Sequence, residues 1–307
     1  MNLIYMCVFH KVSYINLLKI LVRSISINAN INANINKEID ILIITSPSFQ
    51  RIIENELKTF NLPLKYYILD LHTLFDAGCA RLNIFNYDLT NYEKILYLDT
   101  DILINSDMNV LFQLELSSEK IYTLEEGTIG HPFWGGQFFD FKQYDKNIPA
   151  FTSGILLFRN SSCMKTLFIS IQKHILDYIY IKKNDIPTCL DQPFIIYNAI
   201  TQNKYDNQLL KTYVENNPLL VSSEKIVYHF PGGPGEYESK YDKMISFWKK
   251  MNEFKSDNIK LKICHHGEDG FGHQLEGMLR LISLSLNNKA EYMYDFKKKI
   301  CIPTLKY

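Results

Sequence analysis

The sequence predicts an α/β fold with a mostly parallel central sheet and helices on both of its faces. Three observations lead there. Continuous apolar runs of strand length, at 2–9, 39–45 and 95–98, alternate with longer segments whose apolar residues recur at helical spacing. Strands buried on both faces read as unbroken apolar runs, and parallel neighbours need helical crossovers between them. The chain is also large enough: 307 residues, 47% of them hydrophobic, can bury a full core and allow one large domain or one and a half.

The elements follow in order. A strand over 2–9 is followed by a helix over 14–25, where Tyr14, Leu17, Leu18 and Leu21 share a face. The Ile-Asn-Ala-Asn repeat over 27–36 is a low-complexity loop insertion, because two short units cannot build a solenoid. A strand over 39–45, a helix over 50–60, a strand over 65–71 and a short helix over 76–85 lead to a fourth strand at 95–98. Beyond it come a strand over 151–158, a long amphipathic helix over 164–182, a helix over 192–199, a strand over 225–230 and a closing helix over 244–254. The polar stretch 255–258 reads as a linker between a first domain, 1–254, and a partial unit, 259–307. That unit consists of a strand over 259–265, a glycine-containing loop over 267–272, a helix over 274–286 and a strand over 290–295. A single β-α-β unit rarely sustains a core, so it reads as the start of a truncated second domain.

Composition narrows the function. The 33 basic and 33 acidic residues cancel without a basic cluster, which excludes nucleic-acid binding by bulk charge. Six scattered cysteines lack CxxC spacing, which disfavours zinc and fits reduced thiols in a cytoplasmic setting. The apolar start lacks a basic flank and a cleavage site, so it reads as a strand rather than a signal peptide, and no run is long enough to span a bilayer.

The chemistry concentrates at Asp99-Thr100-Asp101, embedded in Lys-Ile-Leu-Tyr-Leu-Asp-Thr-Asp-Ile-Leu-Ile. Side chains two apart on a strand share a face, so both carboxylates project the same way among apolar flanks. Two like charges there resist ionisation unless a cation lies between them. Oxygen ligands favour a hard divalent ion, and a nearby imidazole moves the preference from magnesium towards manganese. His229, at the end of Ile-Val-Tyr-His, supplies that imidazole. In open parallel sheets, ligands sit at the carboxyl ends of strands, where this Asp pair falls. The loop Phe230-Pro-Gly-Gly-Pro-Gly exposes backbone N–H groups that suit phosphate oxygens, although Pro-Gly is also an ordinary turn. Taken singly, Arg81 is a surface residue or a diphosphate clamp, and Asp191 a helix cap or a ligand.

Four motifs in order, Leu96-Tyr-Leu-Asp-Thr-Asp, Phe151-Thr-Ser-Gly, Asp191-Gln192 and Val227-Tyr-His-Phe-Pro-Gly, resemble the retaining glycosyltransferases of family eight, the glycogenin group. The resemblance covers roughly residues 1–250. It implies a GT-A type fold with a Rossmann-like sheet, a nucleotide-sugar donor (typically a UDP-sugar), manganese or magnesium, and a glycan, protein or lipid acceptor. It assigns the metal to Asp99, Asp101 and His229, the transferred sugar to Asp191 and Gln192, and a base-stacking role to Tyr14. Donor contacts fall to Arg81, Thr100, Thr152, Ser153, Gly232 and Lys240. Where the family carries Lys-Pro-Trp, this chain runs through Gly235-Glu-Tyr-Glu-Ser before Lys240. The tail from Gly270 resembles the opening of a fucosyltransferase-like domain, with His273 in place of asparagine. Two other readings of the Asp pair stay open, a haloacid-dehalogenase-type phosphatase and a carbohydrate-binding pseudoenzyme.

Overall fold

The computed structural model describes residues 1–29, 39–60, 62–232, 237–258, 260–262, 265–266, 290–295 and 300–306. They form two compact units, Met1–Met244 and Ile245–Tyr307.

The first unit opens with β1 (Asn2–Val8), α1 (Val12–Asn28), β2 (Ile39–Thr45), α2 (Pro47–Leu57), β3 (Leu64–Ile68) and α3 (Leu74–Gly78). A 3-10 segment, Cys79–Asn86, then leads to β4 (Lys94–Leu98), β5 (Ile102–Ile104), α4 (Asn109–Gln113), β6 (Ile121–Tyr122) and β7 (Glu125–Thr128). After these come β8 (Pro149–Phe151), β9 (Ile155–Arg159), α5 (Ser162–Ile175), α6 (Gln192–Thr201), β10 (Tyr205–Asp206), β11 (Val214–Asn216) and β12 (Val227–His229). The main sheet has seven strands in the order β10-β6-β9-β4-β1-β2-β3. Its β4-β1-β2-β3 half and the β6-β10 pair are parallel, and β9 runs antiparallel to both β4 and β6. The expected mostly parallel α/β architecture is present. The strand order reverses direction at β1 and β4, so a crevice opens beyond their carboxyl ends.

Alternation along the strands divides the core into two layers. Ile4, Met6 and Val8 of β1 and Leu96 and Leu98 of β4 pack with Ile15, Leu18, Leu21 and Ile25 of α1. Leu3 and Tyr5, with Ile95 and Tyr97, pack on the other face with Leu167, Phe168 and Ile171 of α5 and Phe194 to Ile196 of α6. Both faces of β1 and β4 are therefore covered, which explains their unbroken apolar sequences.

Several boundaries differ from the sequence expectation for local reasons. Asp99 to Asp101 is a bend rather than extended strand: β4 belongs to the seven-stranded sheet, whereas β5 pairs antiparallel with β12 in a second sheet ordered β11-β12-β5. The strand expected over 151–158 is broken at Thr152-Ser153-Gly154, because Phe151 ends a hairpin between β7 and β8 before β9 begins. The helix expected over 164–182 gives way after Ile175 to a wider π-helical stretch, Leu176–Ile181.

The polar stretch 255–258 is helical rather than irregular. A helix, α7 (Tyr237–Asn258), runs through it, since Lys255-Ser-Asp-Asn contains neither glycine nor proline to stop a helix. In the second unit, β13 (Lys260–Lys262), β14 (His265–His266) and β15 (Ala290–Asp295) each pair antiparallel with β16 (Ile300–Lys306). The loop expected over 267–272, the helix over 274–286 and most of the Ile-Asn-Ala-Asn repeat lie outside the described residues. Among the described residues, no helix is long and apolar enough to cross a membrane. Cys7, Cys79, Cys163 and Cys189 are free thiols.

Two side chains tie α1 to the second sheet: Asn28 Nδ2 donates to the Ile104 carbonyl at 2.8 Å, and Ser24 makes a buried link to the same residue. The buried Ser24 hydroxyl donates to the Leu21 carbonyl at 2.7 Å and accepts from the Ile104 N–H at 2.9 Å. Ser24→Ala leaves that strand N–H without its partner, and urea unfolding is expected to show a loss of about 1–3 kcal/mol with an unchanged denaturant slope.

Candidate active site

The carboxyl ends of β1 and β4, the Thr152-Ser153-Gly154 break and the start of α6 surround a cleft of about 460 Å³. Tyr14, Arg81, Asp99, Thr100, Asp101, Thr152, Ser153, Asp191, Gln192, His229, Gly232 and Lys240 all line it. Every residue singled out from the sequence therefore faces one space, whatever its individual role.

Asp99, Asp101 and His229 each offer a ligand atom, and these atoms lie within 4.8 Å of one another. The bend after β4 brings the two acids together, and the β5–β12 pairing places His229 opposite Ile102. A hydrogen bond from the Phe230 N–H to the Asp101 carbonyl, 2.9 Å, holds the two chains in register. His229 Nδ1 lies 2.8 Å from Asn216 Oδ1, its neighbour on β11. With that nitrogen donating, Nε2 keeps its lone pair and faces Asp101 Oδ1 at 3.5 Å. Among the described residues, buried Asp101 Oδ1 has no hydrogen-bond partner, while Oδ2 accepts from Lys240 Nζ at 2.6 Å. Burial pushes the Asp101 carboxyl up, but the Lys240 ammonium outweighs it and holds the group below the ordinary carboxylate range.

Gly154 completes this corner. A Cβ there would lie 2.6 Å from His229 Nε2 and 3.1 Å from Asp99 Oδ2, so only glycine leaves the three ligand atoms room. An orphaned buried carboxylate oxygen, an imidazole lone pair and a second carboxylate form a donor set that fits a divalent cation.

Arg81 organises the opposite wall. Tyr5 and Tyr97 face each other across β1 and β4, ring centroids 5.0 Å apart, and the Arg81 guanidinium lies 4.6 Å over the Tyr97 ring. Buried Arg81 meets both oxygens of buried Asp191, Nε at 3.0 Å from Oδ2 and Nη2 at 3.3 Å from Oδ1. Its Nη1 donates to the Ser153 carbonyl at 2.6 Å and lies 3.5 Å from Asp99 Oδ1, which also accepts from the Tyr97 hydroxyl. Asp191 stands at the head of α6 but caps no helix N–H with its side chain, so its carboxylate serves the arginine instead. Leu190 before it adopts a positive φ of 52°, which turns the chain into the helix. Gln192 Oε1 accepts from both the N–H and the hydroxyl of Ser153, at 3.0 and 3.1 Å.

Sequence reasoning missed Asn216 and Tyr97 as site residues, and met Gly154 only as the end of the Phe151-Thr-Ser-Gly motif. Asn216 sits in a three-residue strand that carries no signal, and Tyr97 reads as one more apolar residue of β4. Gly154 had a signal, the Thr-Ser-Gly break in an apolar run.

A family model described as "Glycosyl transferase family 8" matches residues 12–210. The chain belongs to glycosyl transferase family 8. Solved structures agree on the fold: a WbbM bifunctional glycosyltransferase (TM-score 0.54, 14% identity, 81% of this chain and 51% of that one) is among those most similar. This chain therefore spans about half of the length of WbbM. Mouse xyloside xylosyltransferase 1 follows at TM-score 0.52 and 12% identity, covering 75% of this chain and 97% of that one. The galactosyltransferase LgtC, solved with donor and acceptor sugar analogues, matches at TM-score 0.50 and 14% identity over 81% of this chain and 99% of its own. No curated protein sequence matches significantly. The protein is thus a family 8 glycosyltransferase with a GT-A fold, and membership sets the phosphatase reading aside.

Burial pushes the Asp191 carboxyl up to about 6, against the opposing pull of Arg81. A carboxyl raised in the folded state contributes stability that is present below its unfolded value near 4 and lost as pH rises through about 6. Relative to Asp191→Asn, the wild type is expected to lose about 2–3 kcal/mol between pH 4 and pH 7, read as the difference between their unfolding midpoints across that range. A pH-independent difference would show that Asp191 ionises in the fold as it does in the unfolded chain.

Proposed function

We propose that this glycosyltransferase moves a sugar from a nucleoside-diphosphate sugar, a UDP-sugar, to an acceptor hydroxyl with retention of the anomeric configuration. Asp99, Asp101 and His229 would hold a manganese or magnesium ion. When bound, the ion would neutralise charge on the donor diphosphate and on the leaving group. The observation that carries this reading is the convergence of those three ligand atoms within 4.8 Å, around a carboxylate oxygen without a hydrogen-bond partner among the described residues.

The chain's own residues divide the remaining work. Lys240, now on Asp101, can reach a diphosphate that enters beside it and would add a point charge there. Tyr14, half-buried on the cleft wall, offers a ring to the nucleobase. Asp191 and Gln192 face the opposite end, where the transferred sugar would lie, and the Arg81 fork and Ser153 fix their rotamers before substrate arrives. At the reacting carbon, the acceptor oxygen forms its bond to the anomeric carbon on the side from which the diphosphate departs. The leaving oxygen takes the bonding electron pair, and the acceptor proton passes to that departing phosphate oxygen. Thr100, Thr152, Ser153 and Gly232 border the same path and would contact the donor.

A screen of nucleotide-sugars with manganese, read as released nucleotide diphosphate, identifies the donor. Asp101→Asn is expected to lower kcat/KM at least about 100-fold while leaving the folded spectrum intact, and chelator should abolish turnover of the wild type. Undiminished transfer by this variant with manganese present would overturn the assignment. Donor binding without any turnover would instead favour the pseudoenzyme reading.

A further inference from the structure

His229 meets the acids through one ring nitrogen, and a neighbour on β11 holds the other. We propose that Asn216 is the positioning residue of this corner: its side-chain oxygen fixes the tautomer and the rotation of the His229 imidazole, so that Nε2 offers the ion a lone pair. The inference rests on the reading of Asp99, Asp101 and His229 as ion ligands and adds a residue that acts through one of them.

The backbone comes first. β11 and β12 run parallel, with Asn216 opposite His229. One residue on, Asn217 takes a positive φ of 48°, and its N–H donates to the His229 carbonyl at 2.8 Å. On the other side of β12, His229 pairs with Ile102 of β5, and the next N–H, that of Phe230, reaches the Asp101 carbonyl. The histidine backbone is therefore gripped from both flanking strands, and its side-chain torsions are what remains to be set.

Gly154 and Asn216 set them. The His229 ring is buried, and a Cβ at Gly154 would lie 2.6 Å from its Nε2 and 2.7 Å from its Cε1. The ring thus rests closely on that glycine. Packing alone leaves two orientations related by a half-turn about the Cβ–Cγ bond, because the outline of an imidazole is nearly the same in both. In one, Nδ1 faces Asn216 and Nε2 faces the acids. In the other, ring carbons take both places, and the corner loses its nitrogen ligand. The 2.8 Å contact between Nδ1 and Asn216 Oδ1 exists only in the first.

The same contact selects the tautomer. A carbonyl oxygen accepts and cannot donate, so Nδ1 carries the proton and Nε2 the lone pair. The opposite tautomer would set two acceptors against each other at Nδ1, and would leave its own N–H 3.5 Å from Asp101 Oδ1, beyond a good hydrogen bond. An amide also suits the place electrostatically. Asp99 and Asp101 already bring two negative charges to the corner, and Asn216 orients the ring without adding a third. Joining the strands does not require this side chain, since backbone pairing links β11 to β12 from Val214 to Asn216.

Two measurements on the full chain decide the matter. Long-range nitrogen NMR of histidine-labelled protein without metal, with the His229 signals assigned by their loss in His229→Gln, is expected to show a protonated Nδ1 and an unprotonated Nε2 in the wild type. Asn216→Leu should lose that preference and Asn216→Asp should keep it. Manganese binding in the presence of UDP, followed by electron paramagnetic resonance of the free ion, should weaken about tenfold or more in Asn216→Leu. Asn216→Asp, which retains the acceptor, should bind close to the wild type. A merely structural role would leave the tautomer unchanged and would make the two variants alike. A proton on Nε2 of the wild type overturns the proposal, and that arm needs no variant. Unchanged manganese affinity in Asn216→Leu overturns it too, as does affinity equally weak in Asn216→Asp. Failure of the wild type to take up manganese, with or without UDP, removes the ion reading instead, and the tautomer, read without metal, decides separately what Asn216 does to the ring.

Discussion

The buried guanidinium of Arg81 is the interaction around which the cleft is arranged. A charge taken out of water is costly unless its surroundings replace the lost hydration, and here they do so on every side. Asp191 meets it through both oxygens, the Ser153 carbonyl and Asp99 take further contacts, and the Tyr97 ring lies beneath it. Those partners come from the head of α6, the break before β9, the end of β4 and β4 itself. Removing the arginine would leave a buried carboxylate unpaired and loosen three separate chain segments at once, so its place in the fold and its place in the chemistry cannot be separated.

The metal corner solves the opposite electrostatic problem. Asp99 and Asp101 bring like charges together, and the protein compensates with Lys240 on one oxygen, the Arg81 and Tyr97 contacts on the other residue, and an imidazole opposite. One oxygen of Asp101 is left without a partner.

Much of this was legible in the sequence, because polar residues at the ends of apolar runs stand out against their background. Asp99 and His229 close strands of that kind, Asp101 precedes the next one, and Asp191 opens a helix. The alternation of strand and helix likewise sufficed for the layered architecture. What escaped detection was short. β5, β6, β10 and β11 have two or three residues each, too few for any periodicity, so the partners of β12 in the second sheet and the change of sheet at the Asp pair were invisible. The stretch 255–258, expected to be irregular, is helical because polarity alone does not end a helix.

The change of sheet at residues 99–101 has a mechanical meaning. Asp99 hangs from the large sheet, whereas Asp101 and His229 belong to the small one. The gap between the acids is therefore a caliper whose jaws are two separately hydrogen-bonded frames, and the Ser24 link from α1 to β5 acts on one jaw alone. Ser24 and Asn28 lie in the last turns of that helix and Tyr14 in its first, so packing changes at Ser24 would move β5 and reset the spacing of the two acids without touching either one.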